Sequence, residues 1–231
     1  MAKACNGVGG LPGLIAACYP PERDGCGERM ARLNELGVKS VCGVLGKGHA
    51  SIVLLADTRW GIAAVKVRRL DSRRESLEAE ARALLLGSMH GATPKPLAWN
   101  RDVIIMEPLF GPSLSEALHL YPYAAALEAL KAARALDTAG IEHLELHRPW
   151  KNVLFVRPLG PALIIDLDSH SINGCGNVPR LLSGLARKVR RIDTSREPLR
   201  RLLARYKKLG CPSYLYEEIV TIVSIRLSPR S

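Results

Sequence analysis

Residues suited to binding a phosphorylated ligand follow one another along the first two thirds of this chain. The first are Gly46-Lys47-Gly48-His49-Ala50-Ser51, which lie between two predicted strands. A turn with so little side-chain bulk lets backbone amides approach phosphate groups. An ordinary tight hairpin also favours glycine, so the value of this turn depends on the residues that follow it.

A lysine comes next. Lys66 ends the apolar run Ala63-Ala64-Val65 on a predicted strand, and burying its ammonium group without a partner would be costly. Glu80 on the next predicted helix is a suitable partner, with Glu75 and Glu78 as competitors. A paired lysine can hold two phosphates of a nucleotide. The alternative is a surface lysine beside a solvated helix face.

The segment Met106-Glu107-Pro108-Leu109 joins the strand-rich half of the chain to the helix-rich half. Clefts form at such junctions, and backbone groups beside a proline can hydrogen-bond the edge of an adenine ring. A plain connector between the two halves explains the same residues.

Two further segments carry polar groups beside predicted strands. Residues 140–152 concentrate acids, histidines, bases and an amide in one loop, including Glu145 and Asn152. Asp166 ends the apolar run Leu163-Ile164-Ile165, where a carboxylate is expensive unless it meets a cation. Mg²⁺ is the natural cation beside a triphosphate.

The elements that must position these residues can be predicted from hydrophobic periodicity. Helical spacing predicts helices at 23–36 and 73–87. Short runs of Val, Ile and Leu separated by glycine-containing turns predict an antiparallel sheet of about five strands. Its predicted strands are 38–45, 51–56, 62–68, a possible partner strand at 97–99, and a central strand at 103–106.

The second half of the chain is predicted to be mainly helical. The predicted helices are 124–139, 178–192, 197–209 and 214–227, with short strands at 152–156 and 162–166. Strands followed by helices predict an α+β fold of two lobes. We expect an irregular Gly/Pro/Cys-rich extension over 1–27, an N-lobe over 28–109 and a helical C-lobe over 110–231.

The order of these parts resembles that of a protein kinase, and more closely the small atypical branch with the RIO kinases and the predicted archaeal serine/threonine kinases. The resemblance covers roughly residues 38–170. It implies a bilobal protein-kinase-like fold, with an antiparallel sheet and one helix in the N-lobe and a reduced helical C-lobe. It also implies ATP and Mg²⁺ as ligands.

The resemblance assigns a role to each candidate residue. Lys66 and its partner Glu80 hold the phosphates, and Asn152 and Asp166 hold the metal. Glu145, in His143-Leu144-Glu145-Leu146, takes the place of the catalytic acid. The remaining nucleotide-binding residues are Gly46, Gly48 and Ser51 of the phosphate-covering turn, Val53, and Met106, Glu107 and Leu109 at the hinge.

Some features depart from the family pattern. Glu145 stands where the family has aspartate, and it is followed by Asn152 after a longer gap than usual. No glycine follows Asp166-Leu167, and no Ala-Pro-Glu triplet follows it. Besides a serine/threonine kinase, three alternatives stay open: an ATP-binding pseudokinase that acts as a scaffold, a basic RNA-associated module with a vestigial nucleotide site, and a small-molecule phosphotransferase.

The net charge of +11 predicts attraction to anionic partners. Bases concentrate between Arg180 and Lys208, which suggests contact with RNA or the ribosome, although solvated helix faces explain them equally well. Neither a membrane span nor a signal peptide is expected, and the predicted location is the cytoplasm.

The six cysteines contain no C-x-x-C pair, which argues against a zinc ribbon. Buried or free thiols are expected. A local metal site or disulfide among the first three, Cys5, Cys18 and Cys26, is the alternative.

Overall fold

The computed structural model describes residues 16–227, which divide into two compact units. We call residues 16–82 with Lys95–Pro108 the sheet unit, and Ala83–Pro94 with residues 109–227 the helical unit. The mixed α and β content predicted from the sequence is confirmed. Most of the predicted N-terminal extension lies outside the described residues.

The sheet unit contains one antiparallel sheet of five strands, preceded by helix α1 (Cys26–Glu35). Its strand order is β1-β2-β3-β5-β4, so β5 is internal, as the continuous apolar run predicts. The strands are β1 (Val38–Lys47), β2 (Ser51–Thr58), β3 (Gly61–Arg68), β4 (Pro96–Trp99) and β5 (Val103–Met106).

The two faces of this sheet carry different residues, because side chains alternate along each strand. Ile52, Leu54, Val65 and Ile105 belong to one face and share a buried cluster with Leu33 of α1. The other face carries the alternate residues of the same strands. Lys66 is on this second face, since its neighbours Val65 and Val67 belong to the first.

Helix α2 (Glu78–Met89) follows the sheet's third strand and crosses the division between the two units. It begins five residues later than the predicted start at residue 73. The N–H of Glu78 donates to the Ser76 hydroxyl at 3.0 Å, and the carbonyl of Arg74 accepts from Arg68 at 3.0 Å. These contacts hold residues before Glu78 in a non-helical path.

The helical unit contains five further helices and two pairs of short strands. The helices are α3 (Leu114–Leu120), α4 (Pro122–Thr138), α5 (Asn177–Ala186), α6 (Leu199–Lys208) and α7 (Ser213–Leu227). The strands are β6 (Ile141–His143), which pairs with β9 (His170–Ile172), and β7 (Val153–Phe155), which pairs with β8 (Ala162–Ile164).

Helix α4 is the centre of the helical unit. Its small side chains allow close packing on several sides, and it contacts α3, α5, α7, β6 and β8. The buried residues of α4 include Ala125, Ala129, Leu130, Ala133 and Leu136. The helix ends at Thr138, and Gly140 follows with a φ of 70°, a left-handed conformation that glycine adopts without strain.

Two disulfide bonds with both cysteines among residues 16–227 correct the expectation of buried or free thiols. Cys18 and Cys26 are joined just before and at the start of α1, with Cα atoms 5.0 Å apart. Cys175 and Cys211 are joined in the helical unit, with Cα atoms 6.3 Å apart. The first pair agrees with the alternative of a local disulfide, whereas Cys5 lies outside the described residues.

Within residues 16–227, no helix combines the length and apolar character needed to cross a bilayer.

The helix predicted over 178–192 is shorter than expected and ends at Ala186. Hydrogen bonds from Arg187 to Gly184 and from Lys188 to Leu185 turn the chain more tightly beyond that point.

Candidate active site

Cross-strand pairing places three of the predicted nucleotide-binding residues of the sheet unit in one row across the sheet. Gly46 on β1 is paired with Val53 on β2, Val53 with Lys66 on β3, and Lys66 with Ile104 on β5. Directly opposed residues project from the same face of a sheet. The row therefore places Gly46 and Val53 on the face that carries the ammonium group of Lys66.

Gly46 is not in a turn, contrary to the sequence prediction. It belongs to β1, beside a register shift between Val44 and Gly46. The turn starts at Gly48, whose N–H donates to the Ser51 carbonyl at 2.8 Å. A Cβ built on Gly46 would meet no atom within 4 Å, so the space above this residue is open.

Lys66 and Glu80 form a buried ion pair. The Nζ–Oε1 distance is 2.6 Å, and the side chains are only 4% and 1% exposed. Glu80 is thus the partner among the three candidate glutamates. Its second oxygen accepts from the Arg74 guanidinium at 3.1 Å, so two cations hold this carboxylate.

The other predicted residues of the sheet unit lie at its last strand. Met106 ends β5 and is buried, whereas Glu107 is exposed. The N–H of Glu107 donates to the Lys95 carbonyl at 3.1 Å, and the Glu107 carboxylate accepts from the Lys95 N–H at 3.3 Å. The backbone N–H of Glu107 is therefore already hydrogen-bonded. Leu109 belongs to the helical unit and is half-buried.

In the helical unit, the β7–β8 hairpin brings Asn152 and Asp166 to the same end. Val153 is paired with Ile164, and the N–H of Ile165 donates to the Asn152 carbonyl at 2.8 Å just beyond the last pair. Asp166 follows at once, with a left-handed φ of 62°. This conformation is uncommon outside glycine and is tolerated best by Asn and Asp.

Asp166 corrects one expectation. It lies two residues beyond the end of β8 and is exposed, so it is not a carboxylate buried at a strand end. A metal-binding role therefore cannot be argued from a need to neutralise a buried charge.

His143 lies beside this hairpin end and is almost fully buried. Burial lowers the pKa of His143 to about 4, although the charge of Asp166 and a hydrogen bond to the Ile165 backbone oppose the shift. The ring is therefore neutral at pH 7. Its Nδ1 accepts from the Glu145 N–H at 3.2 Å, which places the ring proton on Nε2.

Glu145 follows His143 by two residues, and its side chain is exposed. The Arg148 N–H donates to the Glu145 carbonyl at 2.9 Å, and the Asn152 N–H donates to the Pro149 carbonyl at 3.2 Å. Two successive turns thus accommodate the long gap between Glu145 and Asn152.

A buried polar network that the sequence reasoning missed supports this segment. The Asn177 side chain accepts from the His143 N–H at 2.8 Å and donates to the Ile141 carbonyl at 2.6 Å. Asp137 and Tyr206 complete the network, with the Tyr206 hydroxyl donating to Asp137 at 2.9 Å. The available signal was Asp137 itself, the one acid between Glu128 and Glu142 in an apolar helix.

Comparisons with known proteins identify no family. No protein-family model matches the chain, and no curated protein matches it either. Among solved structures, the chain is similar to the crystal structure of the PF14_0431 kinase domain, with 21% sequence identity and a TM-score of 0.45. The match covers 59% of this chain and 53% of that chain.

Proposed function

We propose that this chain is an ATP-dependent phosphotransferase with a bilobal protein-kinase-like fold. In the finer form of the proposal, it is a serine/threonine protein kinase of the small atypical, RIO-like type that transfers the γ-phosphoryl group to a hydroxyl. The observation that carries the proposal is the buried pair of Lys66 and Glu80, at 2.6 Å. A buried ion pair is weak evidence for stability, because apolar residues of similar volume often do as well. Its presence is better explained by a task for the ammonium group.

That task is to bind phosphates. Glu80 fixes the position of the Lys66 ammonium group, and Gly46, Val53 and Lys66 form one row on one face of the sheet. The open space above Gly46 is consistent with a ligand passing close to the backbone there. In this proposal Gly48 and Ser51 cover the phosphates, and Met106, Glu107 and Leu109 contact the base.

The donor set of the helical unit suits a hard cation. Asn152 supplies an amide oxygen and Asp166 a carboxylate, and oxygen ligands are those that Mg²⁺ prefers. When bound beside a triphosphate, Mg²⁺ would neutralise the charge that develops on the transferred group. The hairpin end formed by Asn152 and Ile165 fixes the relative position of these two ligands.

Glu145 would orient the hydroxyl of the acceptor. The neutral His143 ring accepts the Glu145 N–H and thereby fixes the backbone of this residue. Phosphoryl transfer depends chiefly on positioning and electrostatics, so a longer acidic side chain can serve if its carboxylate reaches the hydroxyl. Its exposed position leaves the carboxylate accessible to an acceptor.

Two specific observations favour alternatives. Glutamate in place of aspartate, reached through two successive turns before Asn152, favours an ATP-binding pseudokinase that acts as a scaffold. The short path from Asp166 to the start of α5 at Asn177 leaves little chain for a protein-substrate platform, which favours a small-molecule phosphotransferase.

RNA or ribosome binding and a cytoplasmic location remain predictions. Several C-terminal bases are paired with acids, among them Arg200 and Arg201 with Glu197 and Lys207 with Glu142. Disulfides are rare in most cytosols but common in intracellular proteins of hyperthermophilic archaea and bacteria. A cytoplasmic location would agree best with such a host.

The test is phosphate incorporation from γ-labelled ATP with Mg²⁺, measured on the full chain together with ATP affinity by calorimetry. Lys66→Met should abolish transfer and weaken ATP binding. Asp166→Asn and Glu145→Gln should abolish transfer. The control is Lys39→Met, at an exposed lysine of the same sheet, which should change neither transfer nor ATP affinity. ATP binding without transfer to any acceptor would favour the pseudokinase. Transfer only to small hydroxyl compounds would favour the small-molecule enzyme. A wild-type chain that does not bind ATP would contradict the proposal.

A further inference from the structure

A groove of about 1040 Å³ opens in the helical unit, and His143, Asn152 and Asp166 do not line it. Its lining comes from α3, the start of α4, the segment after α5 and the end of α7. We call its aliphatic side chains the floor: Leu118, Pro122, Ala124, Val189 and Leu227. The lining residues that matter for its chemistry are Leu118, His119, Tyr121, Lys188, Arg190 and Arg191.

Tyr121 lines this groove and is anchored in the core of the helical unit. Its ring packs edge-on against the buried ring of Phe155, with centroids 6.0 Å apart. Its N–H donates to the Ala117 carbonyl at 2.8 Å, so the backbone is fixed as well. Within the part of the chain that the structure describes, the buried hydroxyl oxygen has no hydrogen-bond partner. Tyr121 therefore contributes a fixed ring to the groove lining, and its buried hydroxyl is not accessible to a ligand.

The charge of the groove has one sign. Lys188, Arg190 and Arg191 line it, and among the described residues the lining includes neither aspartate nor glutamate. The Lys188 ammonium group lies 4.2 Å from the centre of the Trp150 ring, and its Nζ donates to the Ser115 hydroxyl at 3.4 Å. These contacts hold a cation at the edge of an apolar floor.

Exposed apolar side chains continue this surface. A second recess of about 600 Å³ shares His119 with the groove and is lined by Phe110 and Leu120. Phe110 is 66% exposed and Leu120 is 70% exposed. Large apolar side chains clustered beside a recess are typical of surfaces that bind another protein.

We infer that this groove binds an acidic peptide segment of a partner protein, with an apolar side chain on the floor and carboxylates at the basic rim. A second copy of this chain is disfavoured, because each copy carries a net charge of +11. RNA fits less well, because nucleic-acid sites rely on a track of phosphate contacts and on exposed rings for stacking.

The inference is tested by fluorescence anisotropy with three labelled probes on the full chain. The first is a ten-residue peptide of glutamates around a central leucine, the second has glutamine in place of every glutamate, and the third is a ten-nucleotide single-stranded RNA. The protein variants are Tyr121→Phe, which keeps the ring against Phe155, and Lys188→Glu with Arg190→Glu. Arg205→Glu with Lys208→Glu on α6 reverses the same charge on exposed bases outside the groove lining.

We expect the acidic peptide to bind at least tenfold more tightly than its glutamine counterpart. The groove double variant should lose at least tenfold in affinity, whereas Tyr121→Phe and the α6 control should each lose less than twofold. Equal losses in the groove and control variants would overturn the inference. Preferential binding of the RNA with the same dependence on Lys188 and Arg190 would overturn it in favour of a nucleic-acid site. Unfolding midpoints within 3 °C of wild type would show that the variants fold.

Discussion

The carboxylate of Asp137 accepts hydrogen bonds from both the backbone N–H and the side-chain amide of Asn177, each at 2.8 Å. Asp137 thereby caps the start of α5 from a neighbouring helix, and it also accepts from the Gly176 N–H at 2.7 Å. Burial raises the pKa of Asp137, while the donated hydrogen bonds oppose that shift. Because Asn177 in turn holds the N–H of His143, this pair links the core of the helical unit to the candidate catalytic segment.

Asp137→Asn should therefore destabilise the protein by about 3 kcal/mol, since it puts a donor where buried N–H groups need an acceptor. Tyr206→Phe removes one hydrogen bond to the same carboxylate and leaves the α5 cap in place, so its expected cost is about 1 kcal/mol. Urea unfolding of both variants checks this order. Equal losses of unfolding free energy in the two variants would mean that capping of α5 by Asp137 does not stabilise the protein beyond the contact with the Tyr206 hydroxyl.

Substitution of the Lys66–Glu80 pair should separate stability from nucleotide binding. Lys66→Met alone removes the ammonium group from a buried carboxylate that also contacts Arg74, and we expect a loss of about 3 kcal/mol. Lys66→Met with Glu80→Leu should recover most of that loss, because an apolar pair needs no compensation. ATP binding should be weakened in both variants. Calorimetry that finds ATP bound normally to the double variant would exclude Lys66 from the nucleotide site.

Gly46→Val tests the open space above the first strand. No atom lies within 4 Å of a Cβ at this position, so the free energy of unfolding should change by less than about 1 kcal/mol. ATP affinity should fall about tenfold if the phosphates occupy that space. Gly43→Val, at another glycine of β1 with no atom within 4 Å of a Cβ, provides the matched control. Equal affinities for both variants would remove Gly46 from the site.

The buried His143 ring should make stability depend on pH. Its folded pKa of about 4 lies below the ordinary value of 6.5, so the unfolded chain binds a proton first as the pH falls. The stabilising contribution of the neutral ring is complete above pH 6.5 and is lost as the pH falls towards 4. The loss should reach about 3 kcal/mol.

The measurement is the difference in unfolding free energy between wild type and His143→Gln at pH 7, 5.5 and 4. The difference isolates His143 from Asp137, whose raised pKa acts in the opposite direction. A difference that does not change with pH would show that the histidine ring remains accessible to protons in the folded state.

The strands and helices were predictable where local patterns decide them. The run Val103–Met106 is apolar on both faces, and it forms the internal strand β5. The start of α2 was not predictable in the same way, because contacts of Arg74 and Ser76 hold the preceding residues outside the helix. Strands β6 and β9 have three residues each, too few for a periodic signal.

The candidate site was predictable in part for a similar reason. Lys66 and Glu80 were identified because a lysine on an apolar strand needs an acid within reach. The position of Gly46 in a strand depends on a register shift in β1, which no sequence pattern indicates. Asn177 became visible only through its contacts, since its hydrogen bonds join residues more than 30 positions apart.

The disulfide bond between Cys175 and Cys211 affects how the protein should be prepared. Cys175 immediately precedes Gly176 and Asn177, and the Cys211 carbonyl accepts from Arg134. A reductant added to storage or assay buffers would therefore release the backbone on which the Asp137 hydrogen bonds depend. Preparations made in an oxidising host and kept free of dithiothreitol are the appropriate starting material for every measurement above.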